Sequence, residues 1–270
     1  MTTTDDRRPE VPGTRPPAAL LVLAGVGALL FVLPLVGLAA EVSWSDVRDM
    51  LGDPVARDAL RVSLVSSSAA VVLSALVGVP LAYVLARGRF RGRTLLRSIV
   101  LLPLVLPPVV GGAALLFALG RRGVVGEPVY EATGLVLPFS TVGVVVAVTF
   151  VSMPFLVITV EGALRHLDGR VEGAAATLGA GRWTVLRRVT LPLIAPSLAA
   201  GLALTWARAL GEFGATLAFA GNLQGRTQTV PLAVYVALQR DRGAAVAMSL
   251  VMIVLAFVVI VLLRDHWWDR

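Results

Sequence analysis

Apolar residues along this chain gather in long runs, separated by shorter polar stretches that carry arginine. A run of roughly 20 apolar residues is long enough to cross a bilayer as a helix. Six such runs stand out, at 18–40, about 62–86, about 95–119, about 135–160, about 193–220 and about 244–263. Lipid offers unpaired backbone groups no partner, so spanning segments of this length are helical. The expected fold is an all-α polytopic membrane protein with about six transmembrane helices. Residues 1–17 are polar and rich in Pro, Thr, Asp and Arg, which predicts a disordered tail. A cleaved signal peptide is the weaker reading of 18–40, because the run is long and no clear small-residue cleavage site follows it.

One connecting stretch has a pattern of its own. Between 169 and 191, Val171, Ala174, Ala175 and Leu178 fall at i, i+3, i+4 and i+7, the apolar stripe of one helix face. Gly179 and Gly181 follow as a turn, where glycine adopts unusual backbone angles without steric penalty. Arg182 to Thr190 predicts a second short helix with Trp183, Leu186 and Val189 as apolar contacts, and Pro192 is expected to begin a new helix. Periodicity alone leaves two readings open: a helix seated in a partner's groove, or an amphipathic helix lying on lipid. In the third run, Pro103, Pro107 and Pro108 should kink or interrupt the helix, either as a structural bend or as one that lines a pore. In the fifth, Arg208 and Glu212 stand four residues apart on one face. Ionisable groups inside a membrane usually face the bundle interior or water.

Composition narrows the function. Hydrophobic residues make up 57% and charged residues 15%, far from a soluble average. The net charge of +7 comes from arginines spread over the connections, so it reads as a topology signal and not as a nucleic-acid surface. With the N-terminus inside, the inner segments hold fourteen arginines against eight outside, and the dense cluster from Arg87 to Arg93 is inner. Both termini and the 169–191 loop are therefore expected on the cytoplasmic side of the cell membrane. There is no cysteine, and histidine occurs only at His166 and His266, so a histidine-based metal site is not expected. There is also no lysine, hence no Gly-x-x-x-x-Gly-Lys phosphate loop, and the chain is not expected to be an enzyme that hydrolyses ATP.

The 169–191 stretch resembles the EAA loop of ABC-importer permeases. That pattern reads E-A-A, three residues, G, nine residues, I, one residue, L-P. Here Ala174, Ala175, Gly179, Leu191 and Pro192 fall on it and Val189 takes the I position. Gly173 occupies the acid position, and Glu172 lies one residue earlier, about 100° around the helix. The resemblance covers roughly 60–263. The stretches Leu102–Gly111, Gly120–Gly123, Thr177–Trp183, Arg208–Thr216 and Arg226–Leu232 look most like molybdate permease subunits, with sulfate (or thiosulfate) and tungstate permeases close. It implies a type I importer permease fold whose coupling residues are Glu172, Ala174, Ala175, Leu178, Gly179, Trp183, Leu191 and Pro192. It implies a second copy of the chain, two ATPase subunits that use ATP and Mg, an extracytoplasmic substrate-binding protein and surrounding lipid, with no cofactor on this chain. Arg208, Glu212, Thr216, Pro107 and Pro108 become candidates for the translocation path or for bracing the bundle. Bracing is favoured for the ion pair, since a lone Glu212 would repel an oxyanion. Thr205 and Asn222 could offer neutral hydrogen bonds along a path. The rival classes are weaker. An ion-gradient-driven transporter would want midplane carboxylates and an inverted repeat, and Ser66, Ser67 and Ser68 have no histidine partner for an intramembrane hydrolase.

Overall fold

The computed structural model describes residues 17–268, with side chains described to residue 258. All but Pro17 of the expected 1–17 tail lies outside the described residues. Contacts divide the chain into two units, 1–42 and 43–270. In the first, helix α1 (Ala18–Ala40) is apolar on all sides and none of its residues is buried. A helix with no polar face suits lipid contact around its circumference.

The second unit begins with α2 (Trp44–Gly52) and α3 (Pro54–Arg87). Asp53 starts α3, its side chain accepting from the Val55 N–H with Pro54 in the first turn. Next come α4 (Arg93–Leu104) and α5 (Pro108–Leu119), bent by 118° at the break between them. Then follow α6 (Gly126–Thr133), α7 (Thr141–His166), α8 (Gly169–Thr177) and α9 (Arg182–Leu210). The chain closes with α10 (Gly214–Ala220), α11 (Val230–Ala237) and α12 (Arg242–Trp268).

Helix α7 is the axis. It packs against α3, α9 and α10, and its Val144, Ala147, Val148, Leu156, Val157 and Val160 are buried. At one end of the bundle, Leu85 of α3, Leu156 and Leu164 of α7 and Ile194 of α9 share a core. At the other end Met50, Ala59, Val230 and Met248 join α2, α3, α11 and α12. That second end is also stitched by polar groups. Ser63 Oγ accepts from the Val230 N–H at 2.8 Å, and Thr141 Oγ1 donates to the Arg226 carbonyl at 2.9 Å.

Among the described residues, four helices, α1, α3, α7 and α9, are long and apolar enough to cross a membrane, and five spans result if the bent α4–α5 pair is counted as one. Helix α12, whose apolar part is described over Arg242–Val258, coincides with the sixth expected run. Several element bounds need correction. The expected run 95–119 is not one helix: it breaks at Val105–Pro107, where Pro107 stands ahead of a helix that Pro108 opens. The run 135–160 is displaced, because Ser140 caps α7 by accepting from the Gly143 N–H at 3.0 Å. The run 193–220 is two helices. Gly211 ends α9, so Glu212 lies beyond the helix that carries Arg208. Pro192 begins no new helix either, for α9 runs unbroken from Arg182. The reason is a π turn at Leu186–Thr190 just ahead of the proline. The wider turn absorbs the crowding that a proline imposes on the preceding carbonyls. Helix α3 repeats the device, with a π turn at Ser74–Gly78 and Pro80 two residues on.

Candidate functional site

The loop between α7 and α9 is built locally. Asp168 caps α8, its carboxylate accepting from the Arg170 N–H at 2.9 Å. Glu172 follows in the first turn, where the positive end of the helix dipole favours an anion. Gly179 ends the helix at φ +83°. The Gly179 N–H donates to the Ala176 carbonyl and the Ala180 N–H to the Ala175 carbonyl, the paired bonds of a glycine helix stop. Gly181 is extended and simply precedes α9. Of the predicted stripe, Val171, Ala174 and Leu178 are exposed, Leu178 at 89%, and Ala175 is half-buried. Trp183 is 67% exposed, with the Arg187 guanidinium 6.0 Å from its ring centroid. Trp183, Thr184, Arg187 and Arg188 line an open depression beside it. Leu191 is half-buried against the core it shares with Leu85 and Ile194, and Pro192 is exposed.

Glu172 does not join that exposed face. Its Oε1 accepts from Thr190 Oγ1 at 2.7 Å, and its Oε2 forms an ion pair with Arg87 Nη2 at 2.8 Å. Thr190 is buried in the π turn of α9, and Arg87 is the last residue of α3. A second ionic group lies at the same end of the bundle. Glu161 of α7, 1% exposed, pairs with Arg165 at 2.6 Å and with Arg97 of α4 at 3.1 Å.

The candidate path residues fall into two kinds. Arg208 and Glu212 meet at 2.6 Å, as their spacing suggests, although a helix end lies between them. Glu212 also caps α10, its other oxygen accepting from the Ala215 N–H at 2.7 Å. Both of its carboxylate oxygens are thus engaged. Thr205 bonds back to the Gly201 carbonyl at 2.8 Å. Thr216 is fully buried and its Oγ1 has no hydrogen-bond partner; the same holds for single oxygens of Ser74, Asn222, Gln228 and Thr229. Pro108 and Val109 border Gly214, so the proline break and the Arg208–Glu212 region share one packing surface.

Sequence reasoning missed Arg87, Thr190, Arg97 and Glu161. The Glu161–Arg165 spacing of four is readable on a helix face. Arg87 and Glu172 are distant in sequence, and no local pattern joins them.

Among the described residues no group of three or more His, Asp or Glu is placed to hold a metal ion. The arrangement is an exposed short helix with an apolar stripe, tied by one carboxylate to two of the long helices.

Comparison with known proteins identifies the family. Residues 78–265 match the family described as the binding-protein-dependent transport system inner membrane component. The molybdenum transport system permease protein of Mycobacterium tuberculosis is 48% identical over 249 residues, covering 92% of this chain and 94% of that protein. A sulfate transport system permease protein of Escherichia coli is 37% identical over 229 residues, covering 83% of this chain and 82% of that one. Among solved structures, a bacterial alginate ABC transporter in complex with its alginate pentasaccharide-bound periplasmic protein aligns with a TM-score of 0.72 at 18% identity. That alignment covers 92% of this chain and 91% of that one, and it shows a shared fold.

Proposed function

The chain belongs to the inner-membrane components of binding-protein-dependent transport systems, and from that membership we propose that it is the permease subunit through which an ATP-driven importer moves molybdate. The observation that supports this cargo is likeness along nearly the whole chain to a molybdenum permease, at 48% against 37% for a sulfate permease. Sulfate and tungstate, also tetrahedral oxyanions, are the second reading. The Gly211-Glu212-Phe213-Gly214 stretch does not separate them.

In the proposed assembly two copies form the passage, two ATPase subunits sit on the cytoplasmic side, and a substrate-binding protein delivers cargo outside. Both termini, the Arg87–Arg93 cluster and α8 face the cytoplasm. Val171, Ala174, Leu178 and Trp183 enter a groove on the ATPase, the helix-in-groove mode of recognition. Closure of the two ATPases draws the two α8 loops together and turns the passage outward. Arg208 and Glu212 neutralise each other and brace the bundle, so selectivity rests mainly on the binding protein.

Cells lacking this chain, and any redundant system, should lose uptake of labelled molybdate and regain it on complementation. A tenfold excess of sulfate, about tenfold being enough to report a difference of about 1.4 kcal/mol in affinity, should leave that uptake largely intact. Unchanged molybdate uptake without the chain contradicts the proposal. Strong competition by sulfate moves the cargo to the second reading. Separately, Gly179→Pro should leave the protein in the membrane yet uncouple ATP hydrolysis from uptake, because proline cannot adopt the positive φ of this turn.

A further inference from the structure

We propose that Glu172 acts inside the permease as the strut that transmits coupling motion, tying α8 to the end of α3 and to the π turn of α9, and not as a contact to the ATPase. The inference rests on the reading of α8 as the coupling helix and adds a residue-level path for the force.

Three observations carry it. First, both carboxylate oxygens meet groups of their own chain: Oε1 accepts from Thr190 Oγ1 at 2.7 Å, and Oε2 lies 2.8 Å from Arg87 Nη2 as an ion pair outside hydrogen-bond geometry. Second, its surroundings are partly withdrawn from water: the Glu172 side chain is 20% exposed and that of Arg87 31%. Screening is weaker there than on an open surface. Third, each partner ends or bends a long helix. Arg87 is the last residue of α3, where a cation also suits the helix dipole. Thr190 closes the π turn of α9. π turns are frequent at functional positions, and this one is the wide turn through which α9 continues past Pro192. A displacement of α8 by a partner therefore reaches α3 through an ion pair and α9 through a hydrogen bond, both from one side chain. Glu172 lies about 100° around α8 from the exposed Val171, so the docking stripe and the strut use different faces.

The complete transporter, with its ATPase and binding protein, is reconstituted in vesicles, and uptake and ATP hydrolysis are read together. The unmodified transporter is assayed first with labelled molybdate and then with sulfate, and whichever it carries is used for the variants. If it carries neither, the proposed function fails and the strut falls with it. Glu172→Ala and Arg87→Gln should each lower uptake per ATP about fivefold or more, within the range of typical coupling effects, while still co-purifying with the ATPase in normal amounts. The double variant should be no worse than Glu172→Ala alone, which already removes the ion pair to Arg87. Exchanging the charges, Arg87→Glu with Glu172→Arg, should restore most of the coupling. Glu172→Gln, which keeps an acceptor for Thr190, and Thr190→Val should give partial losses and cover the case in which the stronger variants fail to fold. The strut is overturned if Glu172→Ala loses the ATPase while Arg87→Gln keeps it, for the carboxylate then contacts the partner. It is overturned equally if the two effects multiply independently, or if Glu172→Gln and Thr190→Val both couple normally.

Discussion

Glu212 serves two groups with one carboxylate. Its Oε2 neutralises Arg208 and its Oε1 holds the first turn of α10 through the Ala215 N–H. Burial makes the carboxylate hard to replace, since only 1% of it meets the surface. Glu212→Ala leaves Arg208 unpaired and α10 uncapped, and should destabilise the protein by about 3 kcal/mol, the lower end for breaking a buried pair because Arg208 remains partly exposed. Glu212→Gln keeps an acceptor for Ala215 and should lose clearly less. Unfolding in detergent micelles measures both, and equal losses would mean that the ion pair, not the cap, carries the effect. The pair itself was legible from a spacing of four residues. Its second role was not, because a side chain capping the next helix leaves no trace in hydropathy. The Arg87–Glu172–Thr190 tie was hidden for a different reason: three residues on three segments meet only once the chain has folded.

At the scale of elements, hydropathy placed α1 with the bounds that the structure shows, since a run of apolar residues with clear polar ends leaves nothing to decide. It erred where the chain breaks inside apolar sequence. The 118° bend between α4 and α5 follows from Pro107 and Pro108, and the prolines did signal an interruption. The break between α9 and α10 rests on Gly211 and Glu212, which an apolar average passes over. Pro192 misled in the opposite direction: the π turn ahead of it keeps α9 whole. The bent segment is held by close packing of α5 on α10. A Cβ at residue 112 would stand 2.6 Å from the Ala215 carbonyl oxygen, which is backbone and cannot step aside. Gly112→Val should therefore destabilise by at least the 1–3 kcal/mol typical of overpacking. The same unfolding measurement in detergent micelles should show it, with Gly162→Ala as a control where nothing lies within 4 Å.

For the whole molecule, the family and the membrane class were legible because they are written in long apolar runs and in one short loop pattern. The two ends of the bundle differ in chemistry. One end of the bundle carries Arg87, Arg97, Glu161 and Glu172, and the other carries the Ser63–Val230 and Thr141–Arg226 stitches. In the proposed assembly the first end meets an ATPase through the exposed face of α8. The chain has no cysteine, so a single Leu178→Cys reports from one place alone. Leu178 is 89% exposed, and a substitution there disturbs no packing within the chain. In the assembled transporter this cysteine, joined to a short photoreactive crosslinker, should capture the ATPase subunit, and intact cells should leave it unlabelled by a membrane-impermeant thiol reagent. Labelling from outside, or a crosslinked complex that holds no ATPase, would contradict the account.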